Sequence, residues 1–258
     1  MRGAITGYID VAQLALYAFW IFFAGLIFYL RREDKREGYP LRSERSGSII
    51  VQGFPPVPLP KTFLLPDGST VMAPRPEPVL PPVLARAAEP WAGAPLVPMG
   101  DPLVDAIGPA SYAQRADMPD MMYGGQEPRL VPLRADSAFF LAEEDPDPRG
   151  MIVIGADNRQ AGTVTDAWID RTEVIVRYLE VRVDYAGAGR SVLVPMTMLK
   201  IDPLRRRIHV RAIMAEQFLG VPALRDPDRV TLREEDQIMG YYGGGTLYAT
   251  AARAEPVL

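Results

Sequence analysis

Between Val11 and Leu30 the chain carries twenty residues without a charge, and only Gln13 and Gly25 among them are neither apolar nor aromatic. At about 1.5 Å of rise per residue such a run spans roughly 30 Å, the depth of a bilayer's hydrocarbon core, so it predicts a transmembrane helix over residues 11–30. A cleaved leader would carry a shorter apolar stretch, roughly 7 to 15 residues, ending in small side chains. Here the run ends in Arg31, Arg32, Glu33, Asp34, Lys35 and Arg36. Cations crowd that end while Arg2 alone precedes the span, so the positive-inside rule puts residues 1–10 outside as a periplasmic tail and the rest in the cytoplasm. Arg31, Arg32 and Lys35 are candidates for lipid headgroup contact, each worth about 1 kcal/mol at an anionic surface. Ala18 and Gly25 share a face that admits a neighbouring helix, and Trp20 sits near mid-membrane; these three are the candidate helix-packing residues. Tyr8, Tyr29 and Tyr39 fall near the expected interfaces, as an aromatic belt does.

Beyond the span, sixteen of the seventy residues from Pro40 to Pro109 are proline, too many missing donors for a helix or a continuous sheet. Phe54, Phe63, Leu64, Leu65, Val71, Met72, Trp91 and Leu96 give this stretch more apolar surface than a solvated spacer carries. Residues 31–110 are therefore expected to form an extended strap on the cytoplasmic membrane face, followed by a connecting segment over 111–145. Within the strap, Lys61 to Met72 predicts a hairpin turning at Pro66-Asp67-Gly68.

From residue 146 to 258 the pattern changes to period-two alternation. Met151–Ile154, Thr163–Ile169, Val174–Val183, Ser191–Pro195 and Arg207–Val210 predict strands, which at such close spacing point to a small antiparallel barrel or sandwich. One or two helical turns are expected at Ile213–Phe218 and a short acidic helix at Leu232–Met239. The fold class is then a single N-terminal transmembrane α-helix plus a mainly-β cytoplasmic domain with short helices and an extended Pro-rich strap.

Composition excludes much chemistry. The chain has no cysteine and one histidine, His209, so thiolate sites, disulfides and His-rich metal centres are ruled out, and no catalytic residue is expected. A net charge of -4 lacks the basic footprint of a nucleic-acid binder. Gly243-Gly244-Gly245 is followed by no Lys-Ser/Thr and reads as a flexible turn rather than a phosphate loop. Glu234, Glu235 and Asp236 read as a solvated acidic turn favoured by a helix dipole. Asp166, Asp170, Glu173 and Glu180 with Arg171 and Arg177 crowd the second and third strands, where they would hold ordered water and relay protons or form an ordinary charged surface. Glu173 and Arg177 stand about 13 Å apart along a regular strand, so a direct pair would need the turn to fold Glu173 back.

The strings YLRREDKREGYPL (Tyr29 to Leu41), PKTFLLPDGSTV (Pro60 to Val71), GDPLVDAIGPASYAQRAD (Gly100 to Asp117), DPDPRGM (Asp145 to Met151), AGTVTDAWIDRTEVIVRYLEV (Ala161 to Val181) and TLREEDQIMGYYGGGTLYAT (Thr231 to Thr250) resemble, in order and over nearly the whole chain, the H subunit of the purple-bacterial photosynthetic reaction centre. The resemblance implies a PRC-type barrel and a non-pigmented subunit capping the L and M subunits in the intracytoplasmic (chromatophore) membrane. Its implied partners are L, M and lipids, with a cytochrome subunit and a light-harvesting 1 ring further out, and no nucleic acid. Bacteriochlorophyll, bacteriopheophytin, quinones and non-haem iron would be held by L and M, none by this chain. The same resemblance places Glu173 and Arg177 near a route that delivers protons to the secondary quinone. The chain departs from the family just before Arg129, where a histidine-containing stretch serves as the surface proton acceptor and Asp120 to Glu127 hold no histidine. Asp120 or Glu127, with Arg129 nearby, would substitute. The rival reading is a membrane-anchored PRC-barrel adaptor for a protein or RNA partner.

Overall fold

The computed structural model describes residues 10–42, 50–75, 82–91, 93–125, 127–184 and 189–254. The expected tail through residue 9, with Tyr8, and parts of the strap lie outside them. The chain divides into two compact units, one of residues up to Pro81 with Glu89–Ala94, the other of Pro82–Ala88 and the chain from Pro95 onward.

In the first unit helix α1 spans Val11–Glu33, three residues beyond the expected end. Arginine and glutamate are good helix formers, and Arg31 and Arg32 favour the negative end of the helix dipole. Asp10 opens the helix with a capping box: its carboxylate accepts from the Gln13 N–H at 2.8 Å, and Gln13 Oε1 accepts from the Asp10 N–H at 3.2 Å. No α1 side chain is buried, and α1 is the one helix among the described residues long and apolar enough to cross a membrane. Three short antiparallel ladders break the Pro-rich region. The first pairs β1 (Leu41–Arg42) with β2 (Ile50–Val51), and the second, β3 (Lys61–Leu64) with β4 (Thr70–Ala73), is the expected hairpin. The third, β5 (Ala85–Ala87) with β6 (Leu96–Pro98), belongs to the second unit. Arg36 links the helix end to the strap, with a two-pronged grip on Glu33 and further bonds to the Leu59 and Ala73 carbonyls.

The second unit is a curled, barrel-like sheet with a helix closing it. Its strands are β7 (Leu130–Pro132), β8 (Ile152–Ile154), β9 (Gln160–Asp170), β10 (Ile175–Val183), β11 (Arg190–Pro195), β12 (Leu199–Asp202) and β13 (Arg207–Val210). Pairing runs β11-β10-β9-β8-β13-β12, with β7 joining the far end of β9. All pairs are antiparallel except β8 with β13, which is parallel. That long-range pair departs from the expected all-antiparallel order, since the two strands come from separate parts of the chain. Trp168, Tyr178, Leu179, Leu193, Ile208 and Phe218 fill the interior.

Helix α2, Leu232–Tyr248, is twice the expected length and runs through Gly243-Gly244-Gly245, where a flexible turn was expected. The glycines serve close packing rather than flexibility. A Cβ built at Gly240 would lie 2.7 Å from the Ala110 carbonyl oxygen, and one at Gly244 only 2.5 Å from the Ala110 Cβ. The missing side chains let the helix lie directly on the backbone around Gly108–Ala110. A Thr231/Glu234 capping box starts it, and Arg253 near its end donates to the carbonyls of Arg211, Ala212 and Gly245.

Candidate functional site

The site forms where β7, β9, β10 and α2 bring their charges together. Asp170 ends β9, and in the turn that follows its Oδ1 accepts from the backbone N–H of Thr172 (2.9 Å) and Glu173 (3.1 Å), an Asx turn that fixes both the bend and the carboxylate. Arg129, immediately before β7, lands on Asp170 because β7 pairs Leu130 with Asp170. Its guanidinium grips the carboxylate in a fork, Nε to Oδ1 at 2.9 Å and Nη2 to Oδ2 at 2.8 Å. The same group reaches Glu173 Oε1 at 2.6 Å and Asp120 Oδ2 at 3.5 Å.

On the other side of Asp170, Arg177 of β10 stands 3.5 Å from its Oδ2 and 3.3 Å from Glu235 Oε2 on α2. Tyr178 donates its hydroxyl to the same Glu235 oxygen at 3.1 Å. The result is a continuous row: exposed Asp120 and Glu173, then Arg129, buried Asp170, Arg177, and buried Glu235 with Tyr178. The side chain of Glu173 is 57% exposed, that of Asp170 0% and that of Glu235 9%.

The two buried carboxyls are pushed in opposite directions. For Asp170 burial acts strongly upward, but the Arg129 hydrogen bond, the Glu173 and Thr172 N–H groups and the Arg129 charge outweigh it and hold the group below the usual carboxylate range. For Glu235 burial again acts upward and here it wins, since Arg177 and Tyr178 only partly offset it, and the carboxyl rises above its usual range. Burial also drives the Tyr178 hydroxyl upward, so Tyr178 stays a donor. Asp170 thus favours its ionised form, and Glu235 holds its proton to a higher pH than a free carboxyl does.

Of the residues expected from sequence, Asp170, Glu173, Arg177, Asp120 and Arg129 come together. Glu173 pairs with Arg129 rather than Arg177, with Asp170 standing between the two arginines. Glu127 lies beside the row, 2.8 Å from Arg171, which in turn holds Asp136 at 2.6 Å. Asp166 belongs elsewhere, as does Glu180. Four residues along a strand separate Asp166 from Asp170 by roughly 13 Å. Asp166 and Glu180 instead share Arg134, at 3.2 and 2.6 Å, and Glu180 accepts from the Trp168 indole at 3.1 Å.

Glu235 is the member of the row that sequence reasoning missed, because Glu234, Glu235 and Asp236 read as solvated. Glu234 and Glu235 are both buried. The signal available was spacing: Glu235, Ile238 and Tyr242 fall at i, i+3 and i+7, one helical face, and all three are buried.

In the first unit Lys35 leaves the expected lipid-facing group. It is 2% exposed, donates to the Gln52 carbonyl at 2.6 Å and the Pro55 carbonyl at 2.5 Å, and stands over the Tyr39 ring. A buried ammonium needs such acceptors. Arg31 and Arg32 remain exposed. Trp20 is exposed and packs edge-on against Phe19 and Phe23, while a Cβ at Gly25 would meet nothing, leaving its face of α1 open.

Among the described residues no group of three or more His, Asp or Glu is arranged to hold a metal. Residues 3–135 match the family described as photosynthetic reaction centre, H-chain N-terminal region, and residues 142–217 match the PRC-barrel domain.

Proposed function

We propose a role from the premise that this chain belongs to the H-chain family of the photosynthetic reaction centre: it caps L and M on the cytoplasmic side and carries protons toward the secondary quinone. As an H chain it associates with L and M in a bacterial photosynthetic membrane and is a structural subunit rather than an enzyme. In this reading α1 crosses the membrane with its N-terminus periplasmic, and Arg31 and Arg32 meet headgroups on the cytoplasmic side. The open face of α1 that carries Ala18 and Gly25 packs against a neighbouring helix, and Trp20, on another face, meets a second packing surface. The quinone, held by L and M, supplies a two-electron acceptor that takes up two protons on becoming quinol.

The observation that carries the proton role is the row from exposed Glu173 through buried Asp170 to buried Glu235, with carboxyls of opposite tendency inside it. Glu173 and Asp120 take protons from solvent. Asp170 stays ionised and draws positive charge inward, Arg129 and Arg177 hold the carboxylates in line, and Glu235 stores a proton that Tyr178 keeps oriented. Charged groups so ordered favour transfer through intervening water, because a carboxyl with a raised pKa holds its proton to a higher pH than a free one and can hand it on.

The premise is checked by purifying the tagged chain in mild detergent and recording a light-minus-dark near-infrared spectrum, where co-purifying bacteriochlorophyll should bleach reversibly. The proton role is checked in the same complex with Glu173→Gln. Slower second-electron reduction of the quinone and slower proton uptake are expected, and rates unchanged across pH would refute the route.

A further inference from the structure

A cleft of about 710 Å³, lined by Lys200, His209 and Arg211, adjoins β12, the terminal strand of the sheet's pairing path. Lys200 and His209 are Cα partners in the β12–β13 pair, so their side chains share one face with Cβ atoms roughly 5 Å apart. A second hollow of about 420 Å³ shares these three residues and, like the first, is bounded by Arg253. Three carbonyls hold the Arg253 guanidinium in place there.

The chain is acidic, and several of its surface arginines, such as Arg149 and Arg182, hold a carboxylate. Among the described residues Lys200, His209 and Arg211 have none within 4.0 Å. Asp202, the acid that shares the cleft, is held by Arg205 at 3.1 Å. Basic groups gathered at a recess attract anions, and here they outnumber Asp202, whose carboxylate is already bonded to Arg205.

We propose that this cleft binds a phosphate-bearing anion. Lys200 supplies a point charge, Arg211 a planar fork suited to phosphate oxygens, and His209 a ring N–H. Asn158 lines the same recess with a neutral amide, and Leu204, 96% exposed, borders it with an apolar surface. The recess is larger than a lone phosphate, so the group it takes is the phosphate of a larger molecule, either a phospholipid headgroup or a soluble phosphate ester.

Because His209 is the chain's only histidine, a sample labelled at histidine gives a single imidazole signal to follow by NMR at constant pH. The full chain is placed in phosphatidylcholine nanodiscs and titrated with inorganic phosphate against chloride of equal ionic strength. A second sample, in phosphate-free buffer, carries phosphatidylglycerol in the disc. Saturable movement with phosphate but not chloride identifies a soluble source, and movement on adding phosphatidylglycerol identifies the headgroup. In Lys200→Ala/Arg211→Ala, at exposed positions that leave the core intact, the response should weaken at least about tenfold. An imidazole signal that moves with neither source, moves equally with chloride, or responds equally in the double variant overturns the proposal.

Discussion

Asp170→Asn alters the centre of the charged row with almost no change of shape. The parent carboxylate accepts from Arg129 Nε at 2.9 Å, Arg129 Nη2 at 2.8 Å and the Thr172 and Glu173 N–H groups at 2.9 and 3.1 Å. The amide oxygen retains the bonds made to Oδ1, but its NH2 then faces Arg129 Nη2 and Arg177, donor against donor. Both contacts to Oδ2 are lost, Arg129 Nη2 at 2.8 Å and the longer Arg177 Nη1 at 3.5 Å, and the short one alone is worth about 1.5–3 kcal/mol in general. Arg129 is 24% exposed and keeps Glu173 and Asp120, so water and the remaining carboxylates bring the loss toward the lower end, about 2 kcal/mol. That corresponds to a fall of about 4–8 °C in the melting temperature of a domain of this size. Urea and thermal unfolding of the detergent-solubilised full chain measure it directly. Since the folded state holds the Asp170 carboxyl below its unfolded value, the parent's advantage is complete above about pH 4 and is lost as pH falls further through the folded value. The gap between parent and variant should therefore be flat from about pH 7 to about pH 5 and close in stronger acid. A gap under about 0.5 kcal/mol at neutral pH, or one that widens on acidification, would refute the reasoning.

Glu235→Gln should show the opposite trend. The folded-state value of Glu235 is raised, so parent stability declines as pH climbs above about 4.3 until it passes that value; the variant lacks this slope and should gain on the parent in unfolding curves as pH rises above about 4.3. Gly244→Ala gains about 1 kcal/mol in helix propensity but meets Ala110 and Leu103 at 2.5 and 2.9 Å, so overpacking of about 1–3 kcal/mol should leave it less stable than Gly243→Ala, whose Cβ meets only the Pro109 carbonyl, at 3.0 Å. A Gly244→Ala protein as stable as Gly243→Ala would contradict that packing. Thr231→Ala removes the cap of α2, and a loss of about 1 kcal/mol with faster hydrogen exchange at the Glu234 and Glu235 amides is expected.

Local signals in the sequence were read correctly, and non-local ones were not. Alternation located β9, β10, β11 and β13 within three residues of their observed ends, and Pro66-Asp67-Gly68 located the hairpin, because each pattern is written within a few residues. Strand β7 escapes the pattern because Leu130–Pro132 is three residues long and includes a proline, and β12 because it follows β11 after a single turn at Met196–Met198 with no Gly, Asp or Asn to mark its start. The parallel β8–β13 pair joins segments over fifty residues apart, which no window of local pattern reveals. In α2 the three glycines are ambiguous on their face: the lack of a Cβ permits a turn, and equally permits a helix to touch another backbone. At the site, Asp170, Glu173 and Arg177 were found because they are neighbours in sequence. The part played by Arg129 depends on a register between β7 and β9, and that of Glu235 on a helix packing over β10, so both needed the fold.

The contact of Gly240 and Gly244 with Ala110 also governs the order in which the protein can be made. Ala110 and Gly240 are 130 positions apart, so the surface around Leu103 and Ala110 stays uncovered while the ribosome synthesises the whole sheet and then the helix that seals it. The N-terminal apolar helix has left the ribosome well before that point. For most of its synthesis the nascent chain therefore carries two sticky surfaces, the apolar helix α1 and a face waiting for its own distant helix. An interruption of translation before Gly240 would release a chain with α1 complete and its interior still open.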